Sequence, residues 1–354
     1  MPDTRRKSPN ILYLCTDEYV SLLEIVKMRI MQISNPPAHL DKSSRIVWVD
    51  YYKAIGIFLI VLGHAVFNFT DLTCFLFLFH VPIFFFISGF LEKTSPCPIM
   101  VYLKKSFISL IVPYFIWNIL SFVFHFPPSP KGFIAMLCGI TRWNGASWFI
   151  MVLVFIKLNA LFYKNKMYIL GGMITALFFI LQLYGKTLPY LINITFVFCP
   201  FFFAGMYGKN YINLIVRLNG GGRKSALLAL FGFTLLFLLY KYTSIAHTHA
   251  VTDFIPQFYL FWISGFIGIG SMLFLCQCFN ASHNKMVSLI SSATLFIMCS
   301  HYEIFRYVTP YITHNYGDIL TFIIVCVYFV LQCICIPIVL KHMPILAGRQ
   351  KYKR

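Results

Sequence analysis

Residues Asp50–Leu91, DYYKAIGIFLIVLGHAVFNFTDLTCFLFLFHVPIFFFISGFL, decide the fold. They read as two apolar segments of roughly 18–20 residues, each long enough to cross a bilayer as a helix, joined by the polar turn Asn68–Asp71. Lys53 stands at the mouth of the first segment, His64 lies inside it, and His80 lies inside the second. A rise of about 1.5 Å per residue puts His64 roughly 16 Å below Lys53, and counting back from Leu91 brings His80 to about the same depth. The two imidazoles therefore face one layer of the membrane. Polar side chains at that depth are costly and usually point into a bundle or cavity, so the pair is a candidate site.

The rest of the chain agrees. Of 354 residues, 59% are hydrophobic and 11% charged, with mean hydropathy +0.76, a composition that excludes a soluble globular domain. After the hairpin, apolar runs follow at about 106–125, 148–163, 167–184, 190–208, 225–241, 254–276, 287–305 and 319–340, and the stretch 126–147 reads as a polar loop. This predicts an all-α integral membrane protein, a bundle of about ten transmembrane helices. The net charge of +18 is gathered in short clusters between apolar runs. Arg45, Lys53, Lys93, Lys104, Lys105, Lys164, Lys166, Lys209, Arg217, Lys285 and the tail from Lys341 all fall on one side, which predicts that both termini are cytoplasmic. No basic stretch is long or interleaved with aromatics, so no nucleic-acid partner is expected. The eleven cysteines lie mostly within apolar runs and read as small packing residues, and Cys276-x-Cys278 and Cys333-x-Cys335 lack the spacing of a metal site.

Three regions follow. Residues 1–44 form an amino-terminal extension, disordered or lying at the membrane interface; 45–341 form the transmembrane domain; 342–354 form a basic cytoplasmic tail. The sequons at Asn68, Asn193 and Asn280 read as chance matches, since Asn280 falls on the cytoplasmic side.

The run Asp50-Tyr-Tyr-Lys53, then Val61-Leu-Gly-His64, then Phe79-His80-Val-Pro82-Ile-Phe-Phe-Phe-Ile-Ser88-Gly89-Phe90, resembles the acyltransferase 3 family of integral membrane acyltransferases. Trp148-Phe-Ile and Ser291-Ser-Ala-Thr294 through Ser300-His301 resemble its mid-chain and late motifs. The resemblance runs from about Arg45 to the carboxyl terminus. It departs at Lys53, where the family commonly carries an Arg, although a lysine still supplies the cation. The resemblance implies an O-acyltransferase of the cell inner membrane, moving acetyl from acetyl-CoA to a sugar hydroxyl of a surface polysaccharide such as an O-antigen or capsule. Its partners would then be membrane lipid and a glycan or lipid-linked sugar acceptor.

That chemistry needs a base for the hydroxyl proton, donors for the oxyanion, and a cation for the donor's phosphates. His64 fits the base. His80 relays for it or donates to the oxyanion, and His301 reaches a comparable depth in the ninth span. Lys53 is the candidate for the coenzyme phosphates, with Lys104 and Lys105 beside it and Asp50 one turn away to orient it. Trp148 and Glu303 are candidates for the sugar. No metal ligand set is expected. Blander readings stand next to each of these: histidines can be core residues bonded to a neighbouring carbonyl, and the three lysines satisfy topology alone. Ser88-Gly89 reads as helix packing and Lys157 as a side chain snorkelling to the basic edge. The rival class is a transporter or flippase of lipid-linked glycans, which should show inverted repeats or Gly/Pro-broken helices in matching places; the sequence offers neither.

The topology is checked by reporter fusions. Fusions at Gly348 and within Asn68–Asp71 are expected to report opposite sides, with Gly348 cytoplasmic. A carboxyl terminus on the outer side would overturn the orientation.

Overall fold

The structure, a computed structural model, describes residues 45–65, 70–124, 129–183, 188–242, 258–279, 284–315 and 317–349. The extension 1–44, the sequons Asn68 and Asn280, and the first half of the Asn68–Asp71 turn lie outside them.

Among the described residues every element is helical. In chain order these are α1 (Val47–Ala65), α2 (Thr70–Phe77), α3 (His80–Leu91), α4 (Ile99–Ser106), α5 (Val112–Phe124), α6 (Pro130–Leu137), α7 (Trp148–Lys164) and α8 (Tyr168–Leu183). They continue as α9 (Thr195–Tyr207), α10 (Lys209–Asn219), α11 (Gly222–Tyr242), α12 (Phe258–Cys278), α13 (Lys285–Ser292), α14 (Thr294–Asn315) and α15 (Gly317–His342). Each of the ten apolar runs forms helix. Eight described segments are long and apolar enough to cross a membrane, α8 is a shorter apolar helix of 16 residues, and α13 and α14 are a pair bent by 71°. The protein is an all-α, multi-pass membrane protein.

Three local features depart from plain helical hairpins, and each has a cause in the sequence. The second arm of the hairpin breaks at Leu78–Phe79, and α3 restarts at His80, with Phe79 in a non-helical conformation. Pro82 then falls in the first turn of α3, where its missing N–H breaks no helical bond. The third span starts at Ile99 rather than near 106, and a π-helical turn, Phe107–Ile111, joins α4 to α5. Pro113 explains this turn, because it cannot donate to the Ser109 carbonyl four residues earlier. The expected loop 126–147 contains a helix of its own, α6, which starts at Pro130 and is capped by Ser129 Oγ accepting from the Gly132 N–H.

The core is aromatic and is drawn tight by two glycines. Phe85 lies between Phe149 and Phe198, with ring centroids at 4.5 and 4.6 Å. Helices α3 and α9 meet backbone to backbone, because a Cβ on Gly89 would strike the Phe202 carbonyl and one on Gly205 the Phe86 carbonyl. Small residues are what allow membrane helices to approach this closely. The antiparallel run of α1 and α3 brings Trp48 against Phe90 at 4.9 Å. Lys53 and Leu91 therefore share one end of the bundle, and Asp71 stands at the other, bonded to Tyr240 and Lys241 of α11.

Gly89→Leu should collapse the folded fraction, because the obstacle is backbone and cannot yield, and overpacking costs about 1–3 kcal/mol even where side chains can give way. Gly172→Leu in α8 meets open space and should be neutral. Size-exclusion profiles and melting curves in detergent distinguish the two, and a normally folded Gly89→Leu variant would contradict the close α3–α9 contact.

Candidate functional site

Three helix segments bring three histidines together. His64 lies in the last turn of α1, His80 opens α3 at the break, and His301 lies in the second turn of α14. The His64 ring centroid is 5.2 Å from that of His301 and 6.3 Å from that of His80. The expected common depth of His64 and His80 is what the structure has, and His301 joins them. His80 and His301 are fully buried, while His64 is partly accessible.

Both buried rings are fixed by carbonyls. His80 Nδ1 meets the Leu76 carbonyl, and His301 Nδ1 lies 3.0 Å from the Ile297 carbonyl. A carbonyl only accepts, so each Nδ1 carries the hydrogen and, in the neutral ring, each Nε2 is left with a lone pair. Both Nε2 atoms are buried without a hydrogen-bond partner. The two rings next to His64 thus each keep a proton-accepting nitrogen, the kind of group that proton transfer from a hydroxyl requires.

A second set of polar groups adjoins it, and the sequence did not single most of them out. Tyr302 faces His64 at 6.5 Å, and Gly145 packs directly on the Tyr302 ring, where any side chain would collide. Asn118 of α5 accepts from the Trp143 and Asn144 N–H groups at 3.1 and 3.3 Å and donates to Ser147 Oγ at 3.0 Å, which pulls residues 143–147 into the bundle. Asn144 donates to the Cys299 carbonyl at 2.9 Å and to Glu303 Oε1 at 3.2 Å, and Ser121 Oγ donates to the same oxygen at 2.6 Å. Glu303 Oε2 remains buried and unpartnered. Arg142 is held next to this set: burial pushes its guanidinium below the usual range, Tyr114 and Tyr302 oppose that, and its Nε has no hydrogen-bond partner. Trp148 opens α7 but packs into the aromatic core, 5.4 Å from Phe198.

The bend between α13 and α14 at Ala293 organises the other end of α1. A helix that stops leaves its last carbonyls without partners, and cations satisfy them best. Lys53 Nζ donates to the Ser291 carbonyl and Arg45 to the Ser288 carbonyl at 2.8 Å. Asp50 accepts from Ser291 Oγ at 2.6 Å and pairs with Arg45 at 2.9 Å. Asp50 thus binds Arg45 and Ser291, where the sequence suggested Lys53 as its partner. Lys53 and His64 lie on one helix, roughly 16 Å apart along the axis. Lys104 and Lys105 are exposed on α4, and Lys105 lines a cavity of about 430 Å³ together with Glu92, Lys157 and Lys164. Lys157 does not merely snorkel, since it pairs with Glu92. Among the described residues, no group of three or more His, Cys, Asp or Glu side chains is placed to hold a metal ion.

Asn144→Ala should strip two donors from buried acceptors, at roughly 1–3 kcal/mol each, and lower the melting temperature in detergent. Ser121→Ala should do so to a smaller extent. Unchanged melting of Asn144→Ala would refute the proposed anchoring of residues 143–147.

No curated protein and no solved structure matches the chain. The sequence profile of the acyltransferase domain family matches residues 46–338. That span holds α1 to the greater part of α15, with the histidine cluster, the Glu303 network and the elbow that Lys53 caps. The chain belongs to the acyltransferase 3 family of membrane acyltransferases.

Proposed function

We propose that this membrane acyltransferase moves acetyl from acetyl-CoA to a sugar hydroxyl of a cell-surface polysaccharide, in the cell inner membrane with both termini cytoplasmic. The observation that carries this reading is the meeting of three imidazoles, two of them held by carbonyls with Nε2 turned away from the bond.

In this mechanism His64 is the general base. The acceptor hydroxyl gives its proton to the His64 imidazole as its oxygen attacks the thioester carbonyl, forming the C–O bond and a tetrahedral oxyanion. Collapse breaks the C–S bond, and the proton held by His64 passes to the departing sulfur, so that the products are the acetyl ester and free coenzyme thiol. A second imidazole close to His64 spreads the developing positive charge, and His80 and His301, whose Nε2 atoms accept, fit that role. The oxyanion needs a donor or cation, and we assign that role to the Tyr302 hydroxyl, whose ring faces His64, and to Arg142 beside Tyr302. Glu303, with one carboxylate oxygen unpartnered, is assigned to the sugar, whereas Trp148, packed against Phe198, is left to the core. Lys53, Lys104 and Lys105 supply positive charge at the donor's end of the bundle.

Mass spectrometry of surface polysaccharide from cells with and without the gene tests the reaction, with a difference of one acetyl mass per modified residue expected. His64→Gln keeps volume and some hydrogen bonding but cannot hold the proton, so acetylation should fall roughly 10²–10⁴-fold at normal membrane abundance. His80→Gln in the His64→Gln background should add little, because groups acting as a unit are not additive. Lys53→Arg should retain activity. Near-normal acetylation by an abundant His64→Gln variant would remove the base from the proposal.

A further inference from the structure

The end of the bundle that carries Lys53 has a second cluster of cations, separate from the elbow. Lys157 and Lys164 lie two turns apart on α7, and both reach the one carboxylate of Glu92, which caps α3. The three side chains are 19%, 3% and 10% exposed, and the Tyr102 ring lies under both ammoniums at 5.5 and 4.6 Å. Burial alone would raise the Glu92 carboxyl, but Lys157 and Lys164 outweigh it and hold it below the usual range. One carboxylate against two buried ammoniums leaves a positive charge uncompensated. Lys93 and Lys105, both exposed, add two more at the rim of the same 430 Å³ cavity. Unpaired buried charge is expensive, and an anion arriving in the cavity would relieve it.

The rest of the lining fits a ligand that enters from this end and extends inward. Ser106 ends α4, and Ser109 comes from the π-helical turn that follows, a distortion that often marks a functional position. Ser88, Leu110 and Leu153 form the inner wall. Ser88 stands eight residues beyond His80 on α3, a distance of about 12 Å along the helix toward the histidines. The Tyr102 hydroxyl is buried next to Glu92 without a well-formed hydrogen bond.

We infer that this cavity binds the phosphates of the acyl donor, with Lys157 and Lys164 as the buried phosphate ligands, Lys93 and Lys105 as the rim, and Glu92 as the positioning group that holds the two buried lysines in place. Assignment of the phosphates to a donor, rather than to the headgroup of an anionic lipid, rests on the acyl-transfer reading above; phosphate oxygens are common to both. The inference moves the phosphate site from Lys53, whose ammonium is engaged by the Ser291 carbonyl, to α3, α4 and α7. Lysine serves here as a point charge on a flexible stem, which suits a phosphate that arrives and leaves.

The test uses the full chain purified into nanodiscs of phosphatidylcholine, with adenosine 3′,5′-bisphosphate as the probe and calorimetry as the readout, so that no turnover is needed. Saturable binding that weakens with salt and is competed by coenzyme A is expected. Lys93→Met combined with Lys105→Met should weaken it about tenfold, and since both side chains are exposed, loss of folding is not the cause. Lys157→Met or Lys164→Met should weaken it further, whereas Glu92→Gln, if it melts as a folded protein, should tighten binding by removing the competing carboxylate. Three results would overturn the inference: no binding of the probe, equal binding by the folded Lys93/Lys105 double variant, or protection seen only in phosphatidylglycerol nanodiscs and not displaced by the nucleotide. Because binding is read without catalysis, an inactive but nucleotide-binding His64→Gln chain separates failure of this site from failure of the acyl-transfer mechanism.

Discussion

In a hydrocarbon environment a backbone carbonyl without a partner costs several kcal/mol, and the functional end of this protein is organised by that constraint. The fold interrupts its helices where the candidate site lies, at Leu78–Phe79 and at Ala293. At the interruptions polar side chains meet main-chain carbonyls: His80 meets Leu76, Lys53 meets Ser291 and Arg45 meets Ser288, and one turn past the bend, inside α14, His301 meets Ile297. These contacts aim the side chains. For the two histidines the carbonyl also selects which ring nitrogen bears hydrogen, so these contacts determine the acid–base character of the cluster.

The rest of the bundle keeps those breaks in register. Backbone contact between α3 and α9 at Gly89 and Gly205 leaves no slack in the helix that begins with His80, and the Phe85, Phe149 and Phe198 stack locks α3 to α7. Helix α7 in turn carries Lys157 and Lys164 to Glu92. The histidine cluster and the basic cavity are therefore the two ends of one rigid pair of helices. Residues 143–147, drawn inward by Asn118, close the histidine end from the side and tie it to α14 through Asn144. Acyl transfer needs a donor held from one side and a hydroxyl presented near the base, and this arrangement offers two separate polar regions joined by an apolar helix bundle.

Hydropathy was enough to find the described helices of membrane-spanning length, because a bilayer admits few alternatives. Depth counting placed His64 and His80 in one layer, and the late motif brought in His301. The break before His80 was hidden, since Cys74–Phe86 is apolar except for His80 and a hydropathy window passes over it; Pro82 was the one local sign. Glu303 was named, but its partners Asn144 and Ser121 were not, because polar residues near an expected loop look alike until tertiary contacts sort them. Gly145 between Asn144 and Trp148 was the only hint that this loop packs against something. Lys157 lay in plain view within an apolar run, and Glu92 is the acid at that end nearest in sequence to a helix terminus. Their pairing depends on α3 and α7 lying side by side, which no local pattern encodes.

The central claim is that main-chain carbonyls hold His80 and His301 with hydrogen on Nδ1 and a bare Nε2. Solid-state nitrogen NMR of the histidine-labelled chain in lipid bilayers at neutral pH reads this directly, with His80→Gln and His301→Gln difference spectra assigning the signals. The account predicts that both rings are neutral, with protonated Nδ1 and unprotonated Nε2. Hydrogen on Nε2 in either ring would mean that the carbonyl contacts do not orient the cluster, and the account of the site would fail with them.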